Sequence, residues 1–413
     1  MNQLYLFLPC AAGVEDLLVA EAQAITSLPA KAVTKQRGGV MLQGSWRAVM
    51  LLNLHCRLAQ RVLVQLSYTE YRHEQDLYRA ASEVAWEIWF TPKQSIKVEV
   101  TAQHSPLNSL NFAALKIKDA VCDRFRDKAH GVRPDVNTQW PDVRIYAHLT
   151  TDACSLYIDT SGEPLFKRGW REDTGDAPLK ETLAAAMLAA SGWAAGTDDL
   201  LPLYDPCCGS GTIAIEAAQI ACNIAAGSLR RFAFEKFVPY QPHVWSAIRQ
   251  EAAEAVVKPE PGQKALIYGS DVSHRMVDFA QRNAQRAGVG DVVEFRGGDA
   301  LQRMPPIEGG GVMVLNPPYG ERIDVGGVAG AAQVGRFGAR ELAETDGGGD
   351  FFTQLASHWK KNYSGWTAWV LTPDLKLPSK MRLKESRRVP MWNGPLECRL
   401  FKFDMVAGKM AKP

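Results

Sequence analysis

Residues 201–217, LPLYDPCCGSGTIAIEA, carry the pattern that decides the fold. Leu201, Leu203 and Tyr204 form a short apolar run; Ile213, Ile215, Ala217 and Ala218 make an apolar helix face, and Gly209 and Gly211 stand between them. The expected structure is a strand, a tight turn and a helix, because glycine lets the backbone turn sharply and approach a ligand with no Cβ in the way. A phosphate-gripping loop would end in Gly-Lys-Ser/Thr, whereas Gly211 is followed by Thr212 and Ile213, which weighs against a nucleoside triphosphate. Gly209-Ser210-Gly211-Thr212-Ile213-Ala214 fits the loose dinucleotide pattern, so a nicotinamide or flavin stays open on this turn alone. Asp205-Pro206, just ahead of the glycines, suits a cationic ligand better than a pyrophosphate, and S-adenosyl-L-methionine carries a sulfonium and an α-ammonium. A strand-to-helix turn without any ligand is the plain alternative.

A second stretch narrows the choice. Residues 312–322 read VMVLNPPYGER, an apolar strand that ends in Asn316-Pro317-Pro318-Tyr319. Two prolines cannot donate to a sheet ladder, so the strand stops there and the chain leaves as a stiff loop that holds its carbonyls still. The Asn316 side-chain oxygen and the Pro317 carbonyl could then accept both hydrogens of an exocyclic amino group, with Tyr319 stacked on the ring that bears it. In isolation the tetrapeptide would read as a rigid turn. Downstream of the glycine turn it resembles the Asn/Asp-Pro-Pro-Tyr/Phe motif of the class I S-adenosylmethionine-dependent amino-methyltransferases.

At 413 residues and 46% hydrophobic content the chain is long enough for two or three domains with real cores. Its net charge is only +2, so a nucleic-acid partner has to be argued from local patches. The eight cysteines contain no C-x-x-C pair, which suggests neither a zinc site nor a disulfide framework. There is no transmembrane run, and the opening LYLFLP leads into an acidic helix, reading as a first strand rather than a signal peptide. A cytoplasmic protein without a metal is expected.

In chain order, strands over 4–8 and 39–43 and helices over 14–25 and 45–58 make a first α+β unit. Strands over 61–68, 95–101, 144–150 and 153–160, with helices over 76–86 and 112–126, make a second. The long helix carries Lys116, Lys118, Arg124, Arg126 and Lys128 against three aspartates, which by itself reads as a solvated face. His130 and His148 read as structural. The second unit resembles the THUMP domain, an RNA-binding module that follows a small ferredoxin-like domain in several RNA-modifying enzymes; the likeness is sharpest at FAALKIKDA, 112–120.

Further on, RGWR with APLKETLAAA, then DPCCGSGTIAIEAA, YGSDVSHRMVDFAQRNAQRAG, NPPYGER and NGPLEC follow in order. In combination these resemble the bacterial large-subunit rRNA guanine-N2 methyltransferases over nearly the whole chain. The resemblance implies an α/β fold: a class I (Rossmann-like) methyltransferase domain over 163–413, preceded by ferredoxin-like (1–60) and THUMP-like (61–162) domains. It implies S-adenosyl-L-methionine held by Asp205, Pro206, Cys207, Gly209, Ser210, Gly211 and Thr212, with Lys180 and Thr182 nearby. Asp271 would take the ribose hydroxyls, although it follows Asp205 at a far longer spacing than the about 20 residues of a generic nucleotide fold; an N-cap for the next helix is the alternative. Asp299 would meet the adenine amino group. Asn316, Pro317, Pro318 and Tyr319 would be catalytic and the partner RNA, contacted by Lys116, Lys118, Arg168, Arg171, Lys380, Arg382, Arg387 and Arg388.

The last four belong to a basic stretch, 376–388, expected to form one phosphate-contacting face or else an exposed charged helix. Residues 324–349, with eight glycines, are expected to be a flexible insertion, either a lid or a surface loop without function. Asn393-Gly394 signals a hairpin. Some members of the family continue into a second methyltransferase domain, and with the chain ending at Pro413 any second activity is expected from another protein. A tRNA guanine-N2 methyltransferase, and an RNA-binding ribosome assembly factor with an inactive methyltransferase domain, are the competing readings.

Overall fold

The computed structural model describes residues 3–175, 178–193, 201–258, 266–318 and 349–406. Tyr319 and the glycine-rich segment up to residue 348 lie outside the described residues. The chain forms two compact units: Met1–Cys10, Leu18–Leu165 and Arg230–Glu251 in one, and Ala11–Leu17, Phe166–Leu229 and Ala252–Pro413 in the other.

In the first unit, β1 (Leu4–Pro9), α1 (Glu15–Thr26), β2 (Val33–Gln36), β3 (Gly39–Gly44), α2 (Trp46–His55) and β4 (Leu63–Glu70) come first. They are followed by α3 (Glu74–Glu83), β5 (Ile96–Ala102), α4 (Leu110–Lys128), β6 (Val143–Leu149) and β7 (Ala153–Asp159). All seven strands share one sheet, in the order β2-β3-β1-β4-β7-β6-β5. Serine hydroxyls start two of the helices: Ser45 Oγ accepts from the Ala48 N–H at 3.3 Å and Ser109 Oγ from the Phe112 N–H at 3.2 Å. On α4 the buried residues Ala113, Ile117, Ala120, Val121 and Phe125 recur at helical spacing, and of the basic residues expected on a solvated face Arg124 is instead turned inward, donating to Glu87 and to the Ser82 carbonyl. Two elements escape the periodicity reading, β2 and α7 (Pro242–Glu254). Residues Arg230–Glu251, counted by sequence with the third domain, pack with this unit. There Phe234 meets Trp245 edge-on, ring centroids 5.0 Å apart, and the Val238 N–H donates to the Trp89 carbonyl at 2.8 Å.

The second unit holds α5 (Glu181–Ser191), β8 (Leu203–Asp205), α6 (Thr212–Ala221), β9 (Ile267–Asp271), α8 (His274–Arg286), β10 (Val293–Gly297) and β11 (Val312–Leu315). The helix Gly349–Asn362, β12 (Thr367–Thr372), the short helix Leu377–Met381, β13 (Arg387–Asn393) and β14 (Leu396–Asp404) complete it. Its sheet runs β10-β9-β8-β11-β12-β14-β13. The first five strands are parallel, and β14 runs antiparallel to both its neighbours, β12 and β13. Tyr204, Met313, Leu315, Trp359, Tyr363, Phe401 and Phe403 pack into its core, where each fully buried large side chain contributes about 1.5–3 kcal/mol. Because β8 lies between β9 and β11, the chain reverses its direction of travel across the sheet at β8. In such sheets ligands bind at the carboxyl ends of the strands, beside that reversal.

Candidate cofactor and acceptor site

Four parallel strands bring the candidate residues to one edge of the sheet. Register sets Asp205 level with Gly269, and Asp271 level with Gly297, while β11 runs beside β8 from Val312 opposite Leu203. Asp205, Asp271, Asp299 and Asn316 therefore all fall at or just past carboxyl ends.

Asp205 is 1% exposed, and its Oδ1 accepts from the Cys207 N–H at 3.1 Å. Burial pushes its carboxyl up to about 8, with the neighbouring Asp271 charge adding to the rise. Asp271 is raised by burial as well, while hydrogen bonds oppose the shift: Oδ1 accepts from the Ser273 N–H and Oδ2 from the Gly209 N–H, each at 2.9 Å. The N-cap of α8 is Ser273, not Asp271. Asp299 Oδ1 accepts from the Leu301 N–H at 2.9 Å. Cys207 sits among these three carboxylates, and burial followed by their charges pushes its thiol well above its ordinary range. The Pro206 carbonyl accepts from Ser270 Oγ at 3.5 Å.

The turn itself needs its glycines. Gly209 has φ +51° and Gly211 φ +88°; a Cβ on Gly211 would lie 3.0 Å from both Ala280 Cβ and Phe295 Cζ. Around the turn the structure adds residues that the sequence reading did not assign to it. Asn283 Nδ2 donates to the Ser210 carbonyl at 3.1 Å and to the Asp173 carbonyl at 2.9 Å. Arg171 donates to Glu181 Oε1 at 2.8 Å, Ser210 Oγ at 2.8 Å, Thr212 Oγ1 at 2.7 Å and the Leu179 carbonyl at 3.2 Å. Arg168 is 1% exposed and pairs with the wholly buried Glu216 at 2.9 Å. The available signal was a lone acid in each of two apolar helices, Glu181 and Glu216, since a buried charge needs a partner.

Arg168 and Arg171 therefore do not face RNA as expected: both are turned into the second unit and their guanidinium groups are taken up there. Thr182 is buried in the first turn of α5, whereas the Lys180 ammonium lies over the Phe166 ring, 5.2 Å from its centroid. Beyond β11, Pro317 is buried, and Asn316 Oδ1 is buried with no hydrogen-bond partner among the described residues.

The other basic candidates lie at the surface. Lys116 sits 5.4 Å from the Phe112 ring centroid, and Lys118 is paired with Asp119. Lys380 is paired with Asp374 at 2.7 Å; Arg382, with φ +49°, follows the short helix Leu377–Met381. The stretch 376–388 is neither one face nor one helix. Arg387 is in register with Lys402 and lies over Trp369, while Arg388 is in register with Phe401 and lies over its ring. Successive strand residues point to opposite sides of the sheet, which separates the two arginines. The hairpin at Asn393-Gly394 joins β13 to β14 as expected.

Strand order, direction and the acids at the strand ends define the class I methyltransferase fold. Three family models match the chain in series: "RlmL ferredoxin-like domain" at 5–63, "THUMP domain" at 71–159 and "RMKL-like, methyltransferase domain" at 168–330. A Synechocystis protein provisionally named an RNA methyltransferase, slr0064, is 34% identical over 97% of this chain and 96% of its own. The chain belongs to the family of THUMP-containing, RMKL-like methyltransferases. The ribosomal RNA large subunit methyltransferase K/L of Psychromonas ingrahamii is 35% identical over 95% of this chain and 49% of its own, so the chain spans about half the length of such relatives. Among solved structures, SMU.472, provisionally named a methyltransferase and crystallised with SAH, matches with a TM-score of 0.81 and 26% identity over 100% of both chains.

Proposed function

We propose that the chain transfers the methyl group of S-adenosyl-L-methionine to the N2 amine of a guanine in large-subunit rRNA, in the cytoplasm. The observation that carries this reading is the buried Asn316 Oδ1, without a hydrogen-bond partner among the described residues, on the same sheet edge as the Asp205 and Asp271 carboxylates. The residues fit the cofactor: the buried Asp205 carboxylate and the half-buried Asp271 carboxylate suit a cationic amino acid and a ribose diol, and the backbone beside Gly209 is open, with nothing within 4 Å of where a Cβ would stand. When bound, S-adenosylmethionine supplies an electrophilic methyl on its sulfonium. Asp205 would balance the positive charge, Asp271 hold the ribose hydroxyls and Asp299 the adenine amino group, with residues 206–212 as the backbone cradle. Asn316 Oδ1 and the Pro317 carbonyl would accept the two N–H bonds of the guanine amine. Those acceptors favour a nitrogen whose lone pair has left the ring and stabilise the positive charge that grows on it. No strong general base is required, since the proton becomes acidic once the methyl has arrived. The guanine has to be unpaired or flipped to reach the site. The three-domain division at 60 and 162 belongs to this reading, as does RNA contact through Lys116, Lys118, Lys380, Arg382, Arg387 and Arg388. The names of the curated K/L relatives support rRNA over tRNA.

The test is methyl transfer from labelled S-adenosylmethionine to protein-free large-subunit rRNA and to bulk tRNA, followed by nucleoside analysis. N2-methylguanosine in rRNA alone is expected; label in tRNA alone would overturn the substrate, and no label on either RNA or on precursor particles would overturn the activity.

A further inference from the structure

The RGWR segment carries a cation that the sequence places with RNA and the structure places behind the glycine turn. Arg171 has 15% of its side chain exposed and lies over the Trp170 ring, 5.1 Å from the centroid. Its Nε and Nη2 reach back to Glu181 Oε1 and the Leu179 carbonyl, at the start of α5, while Nη1 and Nη2 reach forward to Ser210 Oγ and Thr212 Oγ1. Those two hydroxyls flank Gly211, the left-handed residue that caps α6. All the partners are largely buried: Glu181 is 3% exposed, Ser210 6% and Thr212 3%. A guanidinium is the one side chain whose fixed fork can reach a carboxylate and two hydroxyls at once, since a lysine ammonium is a point charge on a flexible stem.

We propose that Arg171 is a positioning residue for the cofactor, acting through Ser210 and Thr212 to fix the glycine turn, with Glu181 orienting its guanidinium. This rests on the reading that the chain binds S-adenosylmethionine. Asp271 holds the Gly209 N–H and Asn283 the Ser210 carbonyl, so the turn is secured from two other directions and does not depend on Arg171 to form. Removal of the fork loosens the backbone that meets the ligand without touching the groups at the acceptor. The consequence is a selective loss: cofactor affinity falls, turnover at saturating cofactor is kept, and RNA affinity is kept.

The experiment compares the full-length wild type with Arg171→Lys, Thr212→Val and the double variant. SAH affinity is read by calorimetry, RNA affinity by filter binding, KM and kcat by methyl transfer, and folding by the melting temperature. Arg171→Lys is expected to weaken SAH about tenfold, equivalent to about 1.4 kcal/mol, with kcat and RNA affinity within about twofold of wild type. The double variant is expected to lose little more than Arg171→Lys alone, because both changes cut the same link. Unchanged SAH affinity in folded Arg171→Lys, additive losses in the double variant, or a fall in RNA affinity with SAH affinity intact would each overturn the inference. If the wild type itself binds no SAH, the proposed function fails first, and the two failures are told apart.

Discussion

Asp205 is the residue whose surroundings make the sharpest demand. Its carboxyl is held near 8 in the folded protein, against an ordinary value of 3.8, because it is buried with a second carboxylate close by. Between about pH 4 and pH 8 the folded chain therefore keeps a proton that the unfolded chain has lost. The contribution of this group to stability falls as pH rises through that window and is level on either side. Replacing Asp205 with Asn should flatten that part of the stability–pH curve, measured by urea denaturation; an unchanged slope would contradict the assignment. A cation bound beside the carboxylate would ionise it, so SAH binding near pH 7 should release a proton. Calorimetry in phosphate and in Tris would then give different apparent enthalpies, and equal values would count against the contact. Gly211 makes a steric demand instead. With φ +88° and neighbours at 3.0 Å, Gly211→Ala should cost about 1–3 kcal/mol. At about 2–4 °C per kcal/mol for a unit of this size, the melting temperature should drop by several degrees; an unshifted one would mean that the turn relaxes freely.

Among elements, α6 and the segment before α5 are joined by a buried ion pair. Arg168 and Glu216 have side chains 1% and 0% exposed, so removing one partner strands the other in a medium that cannot solvate it. Arg168→Met should cost about 3–5 kcal/mol, and adding Glu216→Leu should restore much of it, both read from denaturant midpoints. A loss below about 1 kcal/mol with weakened RNA binding would return Arg168 to the surface role that its basic neighbours suggest. The same pair shows where the sequence misleads. A run such as RGWR offers net charge but not direction, and the acids that draw Arg168 and Arg171 inward stand on other elements: Glu216 on α6, 48 residues past Arg168, and Glu181 at the start of α5, 10 residues past Arg171. The turn after β8 and the stop after β11 were legible because each rests on backbone chemistry: glycine that must adopt positive φ, proline that cannot donate. That Asp205, Asp271 and Asn316 share one edge followed from parallel strands. The anchoring of the glycine turn did not follow, since it is tertiary.

For the whole molecule, two stretches that read as separate domains share a sheet. β4 pairs with β1, Tyr5 opposite Gln65 and Phe7 opposite Leu63, and on its other side with β7. A chain shortened to residues 61–413 would bare the β1-facing edge of β4, whose Leu63 and Val64 are buried in the intact protein, and exposed apolar edges aggregate. Its expected fate is insolubility, or loss of the first unit's melting transition; a soluble product that melts as the full chain does would show that the first 60 residues are dispensable. No helix among the described residues is long and apolar enough to cross a membrane.

If Asn316 Oδ1 receives the amine of the acceptor, single-turnover methyl transfer by Asn316→Ala shows the loss at the chemical step itself. With large-subunit rRNA and labelled S-adenosylmethionine, the wild type should yield N2-methylguanosine, while the variant should bind SAH as tightly and react about 10²–10³-fold more slowly, the usual loss for one preorganised polar partner. N2-methylation by the variant at the wild-type rate would mean that Asn316 does not hold the acceptor amine.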